Sequence, residues 1–320
     1  MRQRILVTGG AGFIGSHLVE HLLADGGFDV TVLDDFDDFY DPEIKRRNIE
    51  ACAGNPRFRL VEGGIRDDAL IDRLVGERPD VVVHLAARAG VRPSIRDPLL
   101  YEDVNVRGTL VILEAMRRHA RRRLVFASSS SVYGATSRAP FREDDPADRP
   151  ISPYAATKRA GELLLATYHH LYGIESAALR FFTVYGPRQR PEMAIARFSR
   201  LILEGEPVPV FGDGTMRRDF TWIEDIIQGV RAAIDRVEGR GFQVYNLGES
   251  ETTTLIDLVR LIEEAAGRPA RIDWRPPEPG DVPLTSADID KARRELGYHP
   301  RTPIREGIRK YVAWLKGERR

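Results

Sequence analysis

The chain has 320 residues, which is enough to bury a large core in one or two domains. Lysine plus arginine equals aspartate plus glutamate at 48 each, so no net charge draws the chain to nucleic acid or to a membrane surface. Cys52 is its single cysteine, which excludes an internal disulfide and predicts no cysteine-based metal site.

The first half of the chain alternates short β-branched runs with amphipathic stretches. It opens on a strand pattern without a long apolar signal region, and no apolar run reaches the ~20 residues that span a bilayer, so we expect a cytoplasmic protein. Continuous apolar runs are typical of parallel strands covered on both faces, and they predict strands at residues 4–8, 30–33, 58–61, 81–84 and 124–127.

Strand and helix patterns in strict alternation indicate an α/β fold with a Rossmann-type, doubly wound parallel sheet, which we assign to residues 1–180. After Arg180, glycine and proline become frequent and the elements become short and mixed. Residues 181–320 are therefore predicted to form a smaller mixed α/β substrate lobe, some of whose strands and helices return to the first domain.

The first strand runs directly into a glycine-rich turn and then a helix pattern. Gly9, Gly12 and Gly15 permit a tight turn, a close backbone approach to a pyrophosphate, and packing of the helix on the strand. The helix N-terminus then offers free N–H groups and a positive dipole end to phosphates. Together these features predict a dinucleotide site.

An acidic pair at the end of the second strand selects the dinucleotide. Asp34 follows Gly15 by nineteen residues and is placed to bind both ribose hydroxyls. A carboxylate there repels the 2′-phosphate of NADP, and Asp35 strengthens the repulsion, so NAD is favoured. An exposed acidic turn explains Asp37 and Asp38 well but Asp34 poorly.

A serine run at residues 128–131 ends the fifth strand, and Tyr154 and Lys158 follow on a helix pattern. Their i and i+4 spacing places both side chains on one helix face. A phenol with a pKa near ~10 is a poor base at neutral pH, but a neighbouring ammonium stabilises the phenolate. The pair therefore predicts a general base, although such pairs are otherwise usually solvated helix faces.

These motifs occur in the order of the extended short-chain dehydrogenase/reductase family, which the whole chain resembles. The motifs are the glycine turn, the strand end His84-Leu85-Ala86-Ala87, Asn105, the serine run and the Tyr154/Lys158 pair. The resemblance implies that Tyr154 is the catalytic base, that Lys158 lowers its pKa and binds the nicotinamide ribose, and that Ser129 hydrogen-bonds the sugar O4. Asn105 would support the network around Lys158.

The resemblance also implies a set of NAD contacts. It comprises Gly9, Gly12, Phe13, Ile14, Gly15, Asp34, Asp35, Ile65, Leu85, Ala86, Ala87, Asn105, Tyr154, Lys158 and Phe182. Related epimerases commonly carry Gly-Asp-Ile where this chain has Gly63-Gly64-Ile65. Gly64 cannot accept a bond from the adenine amine, so we expect weaker NAD binding than in those relatives.

Two positions separate the reactions that this family catalyses. Its dehydratases place Asp-Glu where this chain has Ser130-Ser131, and its UDP-glucuronate decarboxylases typically carry Glu at the position of Ser131. Residues 181–193, FFTVYGPRQRPEM, resemble the UDP-glucuronate 4-epimerases. UDP-galactose 4-epimerases usually have Asn at Thr183.

The resemblance to the glucuronate branch implies that Thr183 and Arg190, with Ser129 and Ser130, hold the sugar carboxylate. Oxidation at C4 makes the sugar a β-keto acid, which loses carbon dioxide when the carboxylate bond aligns with the carbonyl. Hydrogen bonds and an arginine charge hold that group in an unproductive orientation. Arg188 is either a substrate contact or part of an ordinary charged loop, and the sequence leaves both open.

The C-terminal part resembles the nucleotide-binding segments of the family. Arg218, in a GDG…RDF segment, is implied to contact the diphosphate, and Asp281 lies in a segment near the nucleotide ribose. The partners implied are a UDP-sugar and a second copy of the chain, paired through a bundle of helices at residues 104–119 and 154–172. Nucleic acid and membrane are not expected partners.

The function expected from this resemblance is NAD-dependent 4-epimerisation of UDP-glucuronate to UDP-galacturonate through a 4-keto intermediate, with Tyr154 as base. A UDP-glucose/UDP-galactose 4-epimerase shares everything except the interpretation of Thr183 and Arg190. A UDP-glucuronate decarboxylase follows, and a non-catalytic NAD-binding scaffold is the alternative of another class, because fold alone does not fix function.

Overall fold

A computed structural model describes residues 2–134, 138–276 and 282–318. Its centre is a seven-stranded sheet with the order β11-β6-β5-β4-β1-β2-β3, in which all neighbouring strands run parallel. The strands are β1 Gln3–Thr8, β2 Phe28–Asp34, β3 Phe58–Glu62, β4 Val81–His84, β5 Arg123–Ser129, β6 Glu175–Phe181 and β11 Phe242–Leu247. The predicted Rossmann-type α/β fold is confirmed.

Helices cover both faces of this sheet and extend into the second half of the chain. They are α1 Phe13–Asp25, α2 Pro42–Glu50, α3 Asp68–Gly76, α4 Val91–Arg96, α5 Pro98–Glu102, α6 Gly108–Arg118, α7 Pro153–Tyr172, α8 Ala194–Glu204, α9 Ile223–Arg236, α10 Leu255–Ala266, α11 Asp290–Leu296 and α12 Ile304–Glu318. Among the described residues, none of the helices combines the length and the apolar character needed to cross a bilayer.

The remaining strands form three two-stranded pairs beyond the carboxyl end of β6. Two pairs are parallel, β7 with β10 and β8 with β13, and one is antiparallel, β9 with β12. Their bounds are β7 Thr183–Tyr185, β8 Pro207–Phe211, β9 Arg217–Arg218, β10 Phe220–Trp222, β12 Thr253–Thr254 and β13 Arg271–Arg275. Since β11 pairs with β6, the second half of the chain returns to the main sheet. The division near residue 180 stays a prediction.

The order of the strands creates the crevice that carries the site. From β1 the chain moves outward to β2 and β3, and it then crosses back to β4 on the other side of β1. The connections after β1 and β4 therefore leave in opposite directions, which opens a gap at the carboxyl edge. Ligands of open α/β sheets bind in such a gap.

Local sequence fixes the helix that carries the predicted base. The Ser152 hydroxyl accepts a bond from the Ala155 N–H at 3.1 Å, and Pro153 occupies the first helical position. Gly173 ends the helix in a left-handed conformation with φ of 65°. Because serine caps and proline at the first turn favour helix initiation, Tyr154 and Lys158 are locked into the first turns of α7.

One predicted helix differs from the structure. The stretch 104–119 was expected to be continuous, but a π-helical turn at Asp103–Arg107 precedes α6. A Cβ on Gly108 would lie 2.5 Å from the Ile65 side chain, so the join between the two segments packs against Ile65 without space for a side chain. Wider turns of this kind frequently occur at functional sites.

Candidate active site

A cavity of about 470 Å³ lies at the carboxyl edge of the sheet. The ends of β1, β2, β4 and β5, the first turns of α7 and the segment after β6 line it. It brings together most of the predicted site residues, namely Gly9, Gly12, Phe13, Ile14, Gly15, Asp34, Asp35, Ile65, Leu85, Ala86, Ala87, Ser129, Ser130, Tyr154, Lys158, Phe182, Thr183 and Arg190.

The glycine turn is too tightly packed for side chains. Gly9 has a φ of +72°, and a Cβ there would lie 2.6 Å from the Ala86 nitrogen. A Cβ on Gly15 would lie 2.2 Å from the Gly9 carbonyl oxygen. Gly12 precedes α1 and has no side chain to cap it, so the N–H groups of the first turn remain available to an anion. This cradle fits a pyrophosphate.

Asp34 lies at the end of β2 with both carboxylate oxygens in use. One oxygen accepts the Ala11 N–H at 3.0 Å and the other accepts the Phe36 N–H at 3.0 Å. Burial raises the pKa of this carboxyl above its ordinary value, against the lowering effect of those bonds and of Lys45. Each oxygen keeps a further acceptor position, so the carboxylate is oriented and still able to accept from two ribose hydroxyls.

The predicted catalytic groups lie together in the cavity wall. The Lys158 ammonium donates to the Ala127 carbonyl at 2.8 Å and lies 6.0 Å from the centre of the Tyr154 ring. The Ser129 hydroxyl hydrogen-bonds with the Tyr154 phenol and donates to the Ser131 hydroxyl at 3.1 Å. Ser129, Tyr154 and Lys158 therefore line one cavity together, and their catalytic roles stay predictions.

Burial acts on both members of the tyrosine–lysine pair. It lowers the pKa of Lys158 to about 7 and raises the pKa of the Tyr154 phenol. The hydrogen bond with Ser129 and the charge of Arg190 act in the opposite direction on the phenol. The protein alone therefore holds the phenol protonated, and activation of Tyr154 by the lysine charge stays a prediction.

Asn105 lies behind the cavity wall and holds it together. Its amide nitrogen donates to the Thr157 hydroxyl at 3.0 Å, and its amide oxygen accepts the Arg88 N–H at 2.8 Å. Thr157 precedes Lys158 on α7, so Asn105 ties the end of β4 to the catalytic helix. Its support of a network around Lys158, and its contact with NAD, stay predictions.

The segment after β6 supplies the other end of the cavity. Thr183 opens β7, and its N–H donates to the Asp219 carbonyl at 3.0 Å. The Arg190 guanidinium pairs with Glu192 at 3.2 Å. Its charge lowers the pKa of Tyr154, which places it close enough to influence the predicted base.

Arg218 and Arg188 do not line the described cavity, and a third residue, Asp281, cannot be placed. Arg218 is in β9, donates to the Arg217 carbonyl at 3.0 Å and does not line the described cavity. Asp281 falls outside the described residues. Arg188, which the sequence left open, pairs with Glu20 of α1 at 2.6 Å, so the structure favours its role in fixing the loop. The diphosphate and ribose contacts stay predictions.

Sequence reasoning missed Asp37, Phe39 and Arg88. Asp37, which the sequence placed in an exposed acidic turn, keeps a side chain that is 36% exposed, but it also lines the cavity and forms an ion pair with Arg88. Phe39 lines the same cavity. An aromatic residue inside an acidic turn, and an arginine directly after a buried strand end, were the available signals.

A buried ion pair connects α7, the helix that carries Tyr154 and Lys158, to the central sheet. Glu162 of α7 accepts two bonds of 2.9 Å from Arg180 of β6 and a third of 2.6 Å from the Ser128 hydroxyl. Burial alone would raise the pKa of Glu162, but hydrogen bonding to Arg180 holds it below its ordinary value. The pair fixes α7 against the strand end that carries Ser129.

Comparison with known proteins gives consistent matches along almost the whole chain. The sequence profile of the family described as GDP-mannose 4,6 dehydratase matches residues 6–311. UDP-glucuronate 4-epimerase 3 of Arabidopsis thaliana is 42% identical over 98% of this chain and 76% of its own length. UDP-glucuronate 4-epimerase of Thermodesulfobacterium geofontis is 41% identical over 97% of this chain and 95% of its own.

Solved structures agree with the sequence matches. The crystal structure of UDP-glucuronic acid 4-epimerase from Bacillus cereus, in complex with UDP-glucuronic acid and NAD, superposes with a TM-score of 0.94. That protein is 38% identical to this chain, and the match covers 99% of this chain and 100% of the other.

We predict that Lys158 lowers the stability of the cofactor-free protein. Its pKa is about 7 in the folded state against an ordinary 10.5, so the folded state binds fewer protons between those values and stability rises with pH there. Lys158→Met should raise the free energy of unfolding at pH 7 by on the order of 2 kcal/mol, because part of the gain is offset by the lost bond to Ala127.

Urea unfolding at pH 7 and pH 9.5 measures this effect. The gain should shrink at the higher pH, where the native lysine costs less, and exposed Lys316→Met serves as the matched control. Loss of stability in Lys158→Met at pH 7 would contradict the prediction.

Proposed function

We propose that this chain is an NAD-dependent UDP-glucuronate 4-epimerase. The chain belongs to the family described as GDP-mannose 4,6 dehydratase, among the extended short-chain dehydrogenases/reductases, and the proposal starts from that membership. The enzyme interconverts UDP-glucuronate and UDP-galacturonate through a 4-keto sugar. The observation that carries the proposal is one cavity in which Tyr154, Lys158 and Ser129 lie with Thr183 and Arg190.

The residues present fit NAD. The packed glycine turn leaves room for a pyrophosphate, and Asp34 offers two oriented carboxylate oxygens where the adenosine ribose binds in this fold. Asp35 lines the same region and adds negative charge that disfavours a 2′-phosphate. When bound, NAD supplies reversible hydride transfer at the sugar C4, so the protein needs no other redox group.

The chain's own residues move the proton. Tyr154 takes the proton of the sugar O4 and later returns it, while Ser129 hydrogen-bonds the same oxygen. The Lys158 ammonium, which lies 6.0 Å from the centre of the Tyr154 ring, favours the phenolate because a nearby opposite charge stabilises the ionised form. The Glu162–Arg180 pair and Asn105 hold these groups in position, and preorganisation of this kind is the main contribution of the protein.

The cavity also suits an acidic sugar. Thr183, Ser130 and Arg190 line it, and their side chains offer hydrogen-bond donors and a positive charge for a carboxylate. Held there, the carboxylate of the 4-keto sugar cannot align with the carbonyl, which suppresses loss of carbon dioxide. The same cavity has Ser130 and Ser131 where dehydratases of the family place an acid and a base, so dehydration is not favoured despite the family's name.

We also propose that the enzyme is a cytoplasmic homodimer that pairs through α6 and α7. Exposed leucines on these helices support the proposal, since Leu110 is 37% exposed, Leu163 53% and Leu171 57%. Apolar surface of this extent on adjacent helices is typical of protein contacts. A reducing compartment suits the free thiol of Cys52.

The proposed function predicts that UDP-galacturonate is formed and that the Tyr154→Phe variant loses activity. Purified protein incubated with UDP-glucuronate should form UDP-galacturonate without added reductant or oxidant, because hydride is returned in every turnover. Tyr154→Phe should lower kcat by at least about a thousandfold, as the proton acceptor is removed, while NAD remains bound. Chromatographic separation of the UDP-sugars measures both. Normal turnover in Tyr154→Phe, or UDP-xylose as the main product, would overturn the proposal.

Arg190 is predicted to determine preference for the acid. Arg190→Ala removes a charged contact worth about 2 kcal/mol or more, so kcat/KM for UDP-glucuronate should fall at least about thirtyfold. The small activity toward UDP-glucose should change much less. Arg200→Ala is the charge-matched control, since Arg200 is an exposed arginine of α8 that pairs with Glu204. Equal losses on both substrates in Arg190→Ala would favour the UDP-glucose/UDP-galactose alternative.

A single charged substitution at Leu163 tests the proposed dimer interface. Leu163→Glu places a carboxylate on the proposed contact, where burial without a partner is costly, and should shift the protein to a monomer. Leu60→Glu is the control, because Leu60 is 39% exposed on β3. Sedimentation velocity gives the mass, and an unchanged dimer in Leu163→Glu would place the contact elsewhere.

A further inference from the structure

We propose that Asp37 and Arg88 form a clasp that spans the cofactor crevice and slows the release of NAD. Asp37 follows β2 and Arg88 follows β4, and the order β4-β1-β2 puts these strands on either side of β1. The ion pair between them therefore bridges the two lips of the crevice, across the glycine turn at the end of β1.

Other groups of the protein hold the segments of both partners in place. The Asp37 carbonyl accepts the Lys45 ammonium at 2.7 Å, and its carboxylate accepts the Phe39 N–H at 2.8 Å. Asn105 makes two hydrogen bonds with the Arg88 backbone. Its amide oxygen accepts the Arg88 N–H at 2.8 Å, and its amide nitrogen donates to the Arg88 carbonyl at 3.0 Å. Surface ion pairs are usually weak because forming them costs side-chain entropy, and this cost is smaller between groups whose surroundings are already ordered.

An aromatic ring shields the pair and links it to the substrate end of the cavity. The Arg88 guanidinium lies 5.3 Å from the centre of the Phe39 ring, and the Arg190 guanidinium lies 5.6 Å from the same centre. Cation–π contacts at these distances stabilise both charges. Phe39 thereby connects the clasp to the arginine that we assign to the sugar carboxylate.

Partial burial gives the pair more strength than an exposed one. The Arg88 side chain is 17% exposed and that of Asp37 is 36% exposed, and both line the cavity. An exposed pair contributes up to about 1 kcal/mol, a factor of about five in a rate, and the value falls as salt screens the charges. Retention suits an enzyme that regenerates its cofactor in every cycle. The inference rests on the proposed function, because NAD must occupy the crevice.

The release rate of NAD tests the clasp without measuring epimerisation. Wild type, Asp37→Asn, Arg88→Gln and the double variant are loaded with NAD and mixed with excess alcohol dehydrogenase and ethanol, which convert released NAD to an absorbing product. Each single variant should release NAD about five times faster than wild type at low salt. The double variant should release it no faster than the singles, and 1 M salt should bring wild type close to them.

Two further variants keep the test specific. Asp38→Asn makes the same charge change at the next residue, which is exposed and does not line the described cavity, and it should release NAD at the wild-type rate. The exchanged pair, Asp37→Arg with Arg88→Asp, should recover part of the retention, and thermal unfolding checks that every variant is folded.

The outcomes separate the clasp from the function. Tight NAD binding with wild-type release in both single variants overturns the clasp alone, as does a double variant whose effect is the product of the two. A wild-type chain that binds no NAD in an equilibrium titration overturns the proposed function and the clasp together.

Discussion

The site depends on a charged lysine kept inside the protein at the end of a parallel sheet. Lys158 is 4% exposed, and its ammonium meets the Ala127 carbonyl and the rings of Phe126 and Tyr154. Removing water from a cation is costly, and the lowered pKa records that cost. In the proposed function this cost has a return, because a charge in a desolvated site acts more strongly on a neighbouring phenol than the same charge would in water.

Three sets of contacts fix the position of α7 and so keep Lys158 buried. Ser152 and Pro153 start the helix at the right residue, Asn105 joins it to the end of β4, and the Glu162–Arg180 pair ties it to β6. A buried pair of this kind adds little net stability, but breaking one partner is strongly destabilising, typically by ~3–5 kcal/mol. Its value here lies in fixing one geometry rather than in adding free energy.

Local sequence was enough for the strands β1 to β5, the glycine turn and the tyrosine–lysine pair, because each depends on spacing within a few residues. The contacts that complete the cavity depend on tertiary structure. Asp37 and Arg88 lie 51 positions apart, and an acidic turn looks solvated until its partner strand end is known. The π-helical turn before α6, and the close packing of Gly108 against Ile65 that follows it, have no counterpart in the periodicity of the sequence. Arg218 fits a family segment, yet its position depends on how the second half of the chain folds over the first.

The anchoring of the loop after β7 has a consequence for how such a site can diversify. Arg188 and the Pro187 carbonyl fasten this loop to α1, through Glu20 at 2.6 Å and His17 at 3.0 Å, whereas α7 is fastened to the sheet by its own buried pair. The loop and α7 line the same cavity, but different contacts hold each of them in place. Mutations in the loop can therefore change the shape of its part of the cavity while Tyr154 and Lys158 keep their positions, so the proposed substrate contacts could diverge separately from the proposed proton transfer.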